Sequence, residues 1–209
     1  MRLAPWWALL SSGCAVVLLV GGWTIAAYLQ GPGYDPTVQT ISSLAGYSAR
    51  DRWLMTNAMI AVGACHGITA LGLRAAAPAG RLALVFGGVA TILVALSPEQ
   101  VSGPSFRHGA AAGVGAVVLA VWPWLATGRG PFTPWALRPA VSAVATALLL
   151  AAVAWFVVEV HAHSAAGLSE RVVSTAETAW PLVVVASCVG RTSDAVRPLK
   201  SRSNSRPRS

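Results

Sequence analysis

The chain has 209 residues, of which 15 are Lys or Arg and 7 are Asp or Glu, giving a formal net charge of +8. Apolar residues make up 55% and charged residues only 11%, whereas an ordinary soluble domain is about 25% charged. This composition excludes a soluble fold, whose surface would lack charges, and a disordered chain, which requires low hydrophobicity. The sequence therefore predicts an integral membrane protein with a single membrane domain.

Six stretches with few or no charged residues are long enough to cross a bilayer, because a spanning helix needs roughly 20 apolar residues. They cover residues 3–34, 53–73, 82–98, 109–128, 139–158 and 172–190. Lipid offers no hydrogen-bond partners, so each segment must satisfy its own backbone, and the runs lack the alternation of barrel strands. We predict an all-α, polytopic membrane protein, with residues 1–190 forming a six-transmembrane-helix bundle. The first span is expected to be a retained helix rather than a cleaved signal peptide, whose core is about 7–15 residues.

The basic residues are unevenly divided between the two ends of this bundle. Eleven of the fifteen lie at the end that holds Met1, and four lie at the opposite, outer end together with most of the acids. The positive-inside rule then predicts a plasma membrane protein with both termini in the cytoplasm. Residues 191–209 are expected to form a disordered basic tail that contacts anionic lipids. Binding of nucleic acid or of a protein by this tail is the alternative; we predict lipids as partners and no nucleic acid.

The segment after the first span predicts a short amphipathic helix at the outer interface. Asp35 is a good N-cap, Pro36 suits the first helical position, and Gly46 is a good C-terminal stop. Between them, an apolar arc and a polar arc occupy opposite sides of a helical wheel. The apolar arc consists of Val38, Ile41, Leu44 and Ala45, and the polar arc of Gln39, Thr40 and Ser43.

Several short motifs resemble those of the bacterial and archaeal six-span membrane proteins catalogued as domain of unknown function 998. They are Tyr34, Pro36, Thr40, Ile41, Ser42 and Leu44 after the first span; Asn57 in the second; Pro98, Glu99 and His108 around the third and fourth; and Gly167, Leu168 and Arg171 at the start of the last. The resemblance extends over most of the chain, from about residue 7 to residue 190. It implies the six-span architecture, and the family carries no established reaction.

Most of the polar chemistry is expected to converge at the outer end. Glu170, Ser174 and Glu177 share one helical face because they are spaced i, i+4, i+7, and Arg107 and Arg171 are natural partners for these acids. An ionised Glu in lipid is costly, so Glu177 should face the bundle interior. The predicted cluster comprises Asp35, Gln39, Ser42, Ser43, Asn57, Glu99, Arg107, His108, His161, Glu170, Arg171 and Glu177.

Four interpretations of this cluster remain open. It is a polar network that only ties the helices together, a pocket for a lipid headgroup or other amphiphile, a hydrolase or transferase site, or part of a proton-coupled transport path.

Ser42 and Ser43 are expected to be ordinary polar groups rather than nucleophiles, since neither lies in a G-x-S-x-G elbow. His66, alone in the second span, is expected to be a neutral, hydrogen-bonded interior residue. In the transport hypothesis it would relay protons with Glu177. Of the four interpretations of the polar cluster, binding of a lipid headgroup or other amphiphile is the leading hypothesis.

No cofactor or metal is predicted. His108, His161 and His163 are weak candidates for zinc ligands. They are weak because His161 and His163 lack i, i+4 spacing and no HExxH pattern occurs. No haem-ligand pair and no phosphate-binding glycine loop is visible in the sequence. The three cysteines are expected to be apolar packing residues, since all lie in predicted spans.

Overall fold

A computed structural model describes residues 4–100 and 105–194, with side chains to residue 189. Within these residues six α-helices are long and apolar enough to span a membrane, as predicted. They are α1 (Trp6–Gln30), α2 (Arg52–Gly72), α3 (Pro78–Leu96), α4 (Phe106–Leu125), α5 (Pro139–Ala162) and α6 (Ala166–Asp194). Two short 3-10 helices, Ser42–Ala45 and Trp135–Leu137, lie in connecting segments. The protein is thus an all-α, multi-pass membrane protein. Residues 195–209, most of the predicted basic tail, lie outside the described residues.

The six helices pack in a ring, each against its neighbours in the chain, and α6 closes the ring against α1. We call the end that carries segment 31–51 and the α5–α6 turn the loop end. The opposite end, which carries the start of α1 and segments 73–77 and 126–138, is the terminal end. Helix α5 is the least enclosed, since its buried residues are only Ser142, Ala145 and Leu149, in the half nearer the terminal end. One side of the ring is therefore loosely packed near the loop end.

Two apolar clusters fill the bundle. The terminal-end cluster includes Leu84, Trp122, Leu137, Val184 and Val185, all fully buried. The loop-end cluster packs α1, α2 and α3 beneath the first loop; its larger members are Leu19, Leu44, Met55, Met59 and Val62. Because lipid tails are as apolar as these side chains, the helices are held together by close packing rather than by hydrophobic burial.

Small residues allow a close crossing of α2 and α3. A Cβ added at Gly63 of α2 would overlap the Gly88 carbonyl and the Ile92 side chain of α3. A Cβ added at Gly88 would in turn meet the Gly63 carbonyl and the Cβ of His66. The two backbones approach this closely only because both positions lack a side chain, which is the usual role of glycine between membrane helices.

The predicted helix over Asp35–Gly46 is shorter than expected. Asp35 does act as a cap, since its Oδ1 accepts from the Thr37 amide at 2.8 Å, but the first turn ends at Gln39. The 3-10 helix Ser42–Ala45 follows and ends at Gly46. A continuous helix does not form because two carbonyl oxygens of this segment accept hydrogen bonds from donors in α6. The Thr37 and Val38 oxygens accept from the amides of Leu168 and Gly167 at 2.9 and 3.1 Å.

Candidate functional site

Arg171 binds the first loop to the start of α6. Its Nη1 donates to the carbonyl oxygens of Pro36, Gln39 and Gly167 at 2.7, 2.9 and 2.8 Å, and its Nη2 donates to the Tyr34 hydroxyl at 2.5 Å. Burial raises the pKa of this hydroxyl, although the guanidinium of Arg171 acts in the opposite direction. A planar group with several donors suits this cluster of acceptors better than an ammonium would.

Gly167 completes this junction. A Cβ at this position would overlap the carbonyl oxygens of Pro36 and Gln39. Its lack of a side chain lets the first turn of α6 touch the loop backbone, where the amides of Gly167 and Leu168 donate to loop carbonyls. The loop is therefore held to α6 by backbone and arginine contacts that fix its position over the bundle.

Glu170 lies directly behind the loop. Its Oε1 accepts from the Ser42 hydroxyl at 2.9 Å, and its Oε2 accepts from the Ile41 amide. The carboxylate thus satisfies donors at the start of the 3-10 helix, where negative charge is favourable. Glu170 is partly buried, and its side chain reaches Ile41 and Ser42 of the loop.

Glu99 and His108 form a second polar group at the loop end. His108 Nδ1 contacts the Ser97 carbonyl oxygen at 2.8 Å, so that nitrogen carries the proton, and its Nε2 is 3.7 Å from Glu99 Oε1. The Glu99 carbonyl accepts from the Tyr47 amide at 3.1 Å. The Glu99 side chain is 20% exposed and that of His108 only 6%. Burial raises the pKa of Glu99, with the nearby His108 acting in the opposite direction.

A lateral groove of about 560 Å³ opens between α4 and α5 at the loop end. Its wall within the bilayer is apolar and includes Ala112, Ala116, Val153, Phe156 and Val157. Its outer end is polar and includes Gln39, Ser43, Glu99, His108, His161 and Glu170. Gly113 of α4 and Val157 of α5 are exposed, so the groove is open on the side of the bundle that faces lipid.

An inner chamber of about 110 Å³ continues inward from this groove. The two cavities share Ser42, Ala112, Ala116, Phe156 and Glu170 as lining residues. Glu177 and His66 line the chamber and are 5% and 1% exposed. Among the described residues, Glu177 Oε1 and both ring nitrogens of His66 have no hydrogen-bond partner. Buried polar atoms are rarely left in this state in proteins, so the chamber is chemically unusual.

The family whose description is "Protein of unknown function (DUF998)" matches residues 13–187. The chain belongs to this family. No curated protein and no solved structure matches the chain.

The motifs by which the chain resembles the DUF998 family lie together at the loop end. The first-loop motif supplies the carbonyls that Arg171 binds, and the Gly167 motif supplies the donors. Pro98, Glu99 and His108 lie beside them, since Glu99 and His108 line the groove with the loop residues Gln39 and Ser43. In this DUF998 protein, these three motifs therefore build one structural unit around the groove, whereas the fourth, Asn57, is exposed on α2 and lines neither cavity.

Four of the predicted cluster residues lie away from both cavities. Asp35, Asn57 and Arg107 are exposed, and Arg171 is occupied by the loop carbonyls. Neither arginine pairs with Glu177, as the sequence had suggested, because Glu177 lies seven residues and roughly 10 Å of helix deeper than Glu170.

The weak metal candidates are not arranged as a metal site. His161 and His163 are exposed, and their Nδ1 atoms contact the carbonyls of Val157 and His161 at 2.8 and 3.0 Å. All three histidines line the groove, but no group of three His, Cys, Asp or Glu residues suited to a metal ion occurs in the part of the chain that the structure describes.

Two residues of this DUF998 protein have a place that the sequence did not predict. His66 was expected to be hydrogen-bonded, yet neither ring nitrogen has a partner among the described residues, and the ring faces the same chamber as Glu177. Phe156 separates the groove from the chamber. The signal for His66 was its position as the one histidine in a span that has no Asp, Glu, Lys or Arg from residue 53 to residue 73.

Proposed function

We propose that this DUF998 protein binds an amphiphile from the bilayer in the lateral groove. The observation that carries the proposal is the shape and lining of the groove, which is open toward lipid, apolar along α4 and α5, and polar at the loop end. An alkyl chain would lie against Phe156 and Val157, and the polar head would reach the side of Glu99 and His108. Ligand sites commonly combine an apolar wall with a few convergent polar groups in this way.

The polar groups favour a head that donates hydrogen bonds. Glu99 and Glu170 offer carboxylate oxygens, and no Lys or Arg is found among the described residues that line the groove. A bare phosphate would have no lysine or arginine partner here, since Arg107 and Arg171 do not line the groove. Hydroxyl- or amine-bearing amphiphiles are therefore the proposed class of ligand.

We also propose a location and an orientation. Arg74, Arg81, Arg129 and Arg138 lie at the terminal end, and this excess of basic charge favours a cytoplasmic position for that end. In the plasma membrane the groove would then open in the outer leaflet. The terminal-end cluster seals the cytoplasmic half below the chamber, which supports a binding role more than passage across the bilayer.

The contact between Ser42 and Glu170 favours one alternative, a hydrolase or transferase that acts on a lipid-like substrate. The Ser42 hydroxyl donates to the Glu170 carboxylate at 2.9 Å, and both residues line the groove. A carboxylate in this position could take the hydroxyl proton during attack on an acyl carbon. Labelling of Ser42 by a fluorophosphonate, lost in Ser42→Ala, would support this alternative.

The binding proposal is tested by filling the groove. Gly113 lines the groove, and a Cβ added there meets no atom within 4 Å, as is also true of Gly21 on α1 outside both cavities. Gly113→Leu should lower the affinity for dodecanol and dodecylamine by about tenfold or more, which is about 1.4 kcal/mol, in native mass spectrometry of the purified protein. Gly21→Leu should bind both probes as the wild type does. Equal binding by the two variants, or no binding by the wild type, would overturn the proposal.

A further inference from the structure

Two buried ionisable side chains line the inner chamber, and ligand binding in the groove alone does not explain their presence. Glu177 lies on α6 and His66 on α2, and both are more than nine-tenths buried. Both residues line the chamber, and Glu177 Oε1 and the two imidazole nitrogens have no hydrogen-bond partner among the described residues. A neutral imidazole always has one nitrogen that accepts, so the chamber presents at least two acceptors.

The carboxyl groups of the chamber favour a cation as ligand. Glu170 and Glu177 line it, and no Lys or Arg is among its described lining residues. A carboxyl group that is buried away from water keeps its proton unless a partner of opposite charge or hydrogen-bond donors stabilise the ionised form, and a bound cation would be such a partner. The other polar groups of the chamber are the hydroxyls of Ser42, Thr91, Ser174 and Thr178, whose oxygens also accept.

The size and access of the chamber favour a small group attached to a chain. Its volume of about 110 Å³ accommodates a head of a few heavy atoms, since one water molecule occupies about 30 Å³ in the liquid. Such a head would enter from the groove, past the residues that line both cavities, which include Ser42, Phe156 and Glu170. The chain behind the head would remain in the groove.

We propose that the chamber binds a protonated primary amine, with Glu177 and one nitrogen of His66 as acceptors for its N–H groups. An alkylammonium group has three donors, which match the acceptors of the chamber, and one positive charge, which would stabilise the ionised form of Glu177. Phe156 at the entrance adds an aromatic ring, a type of group that attracts cations. This inference rests on the proposed binding of amphiphiles in the groove, and it names their head and places it in the chamber rather than beside Glu99.

Dodecylamine and dodecanol test the inference because they share a chain and differ in the head. The wild type should bind dodecylamine about tenfold more tightly than dodecanol in native mass spectrometry. Glu177→Gln should lose this preference and keep its affinity for dodecanol, which also shows that the variant is folded. Asp51→Asn, which removes an exposed carboxylate that lines neither cavity, should keep the preference.

The outcomes separate this inference from the proposed function. Equal affinity of the wild type for both probes would overturn the amine assignment and leave binding in the groove intact. Loss of the preference in Glu99→Gln but not in Glu177→Gln would place the amine at the outer end and would also overturn it. If methylammonium displaces dodecylamine, the chamber binds free amines as well as amphiphiles. If the wild type prefers dodecylamine to dodecanol and methylammonium does not displace it, the chamber binds only the heads of amphiphiles. Both results support binding of an ammonium group. Binding of neither probe by the wild type would remove the proposed function itself.

Discussion

Arg171 joins three parts of the chain at the loop end with a single side chain. It binds carbonyls at both ends of the first loop turn, the Tyr34 hydroxyl, and the carbonyl of Gly167 in its own helix. The position of the loop, and therefore of Ser42 over Glu170, depends on this contact.

Arg171→Ala should lower the thermal stability of the purified protein, with a loss of about 1.5–3 kcal/mol for hydrogen bonds to a charged donor. Arg171→Lys should recover only part of it, because an ammonium cannot reproduce the planar fork. Arg107→Ala is the matched control, since Arg107 is exposed and lines neither cavity, and its melting temperature should stay near that of the wild type. Equal melting temperatures for Arg171→Ala and Arg107→Ala would show that the junction does not hold the loop.

Glu99 should make the stability of the protein depend on pH. Burial raises its pKa above the ordinary value of 4.5, so the folded state keeps the proton to a higher pH than the unfolded state does. Stability must then fall as the pH rises from about 4.5 through the raised pKa. Glu99→Gln, which stays neutral, should lack this fall. We expect the melting temperature of the wild type to decline relative to Glu99→Gln across this range, and a constant difference would contradict the prediction.

Among the helices, α2 and α3 depend most visibly on small residues. Gly63 faces the α3 backbone, while Gly67, one turn later on the same helix, has no atom within 4 Å of an added Cβ. The two positions therefore separate the effect of close packing from the effect of glycine on the helix itself.

Gly63→Ala should destabilise the protein by about 1–3 kcal/mol, the usual cost of overpacking, because the Gly88 carbonyl cannot move without shifting α3. Gly67→Ala should be neutral or slightly stabilising, since alanine is the better helix former. Thermal unfolding in detergent measures both. A similar effect of the two changes would mean that the crossing is looser than the structure shows.

Helix α5 differs from the other five in how little of it is enclosed. Its buried residues are Ser142, Ala145 and Leu149, which lie in its terminal-end half, so its loop-end half forms one wall of the groove without a tight contact behind it. A wall of this kind can separate from α4 at low cost, which suits the entry of a chain from lipid.

For the whole molecule, three spans (α2, α3 and α4) separate segment 31–51 from segment 126–138, and this odd number of crossings places the two segments on opposite sides of the membrane. With the three native cysteines changed to alanine, Ser48→Cys and Pro131→Cys introduce single exposed thiols at the loop end and the terminal end. A membrane-impermeant maleimide should label Ser48→Cys in intact cells and Pro131→Cys only after lysis. The reverse pattern would place the groove in the inner leaflet, and labelling of both in intact cells would contradict the six-span topology.

The sequence by itself determined the number and position of the spans. A charge-free run of about 20 residues in lipid has to be helical, because no other donor or acceptor is available to its backbone. Of the apolar arc predicted by the helical wheel over Asp35–Gly46, Ile41, Leu44 and Ala45 are buried, whereas Val38 is 48% exposed. The predicted length of this helix was wrong, because the carbonyls of Thr37 and Val38 accept from residues about 130 positions away, and no local pattern reports that competition.

The chamber was decided by the tertiary structure alone. Spacing places Glu177 on one face of α6 and His66 on one face of α2, but it leaves open how far each helix is rotated toward the other. That rotation depends on close contacts such as Gly63 against Gly88, which are steric and involve residues distant in the sequence. Packing of this kind directed Glu177 and His66 into the same cavity and left Arg107 on the surface, and so it determined which polar residues can meet a ligand.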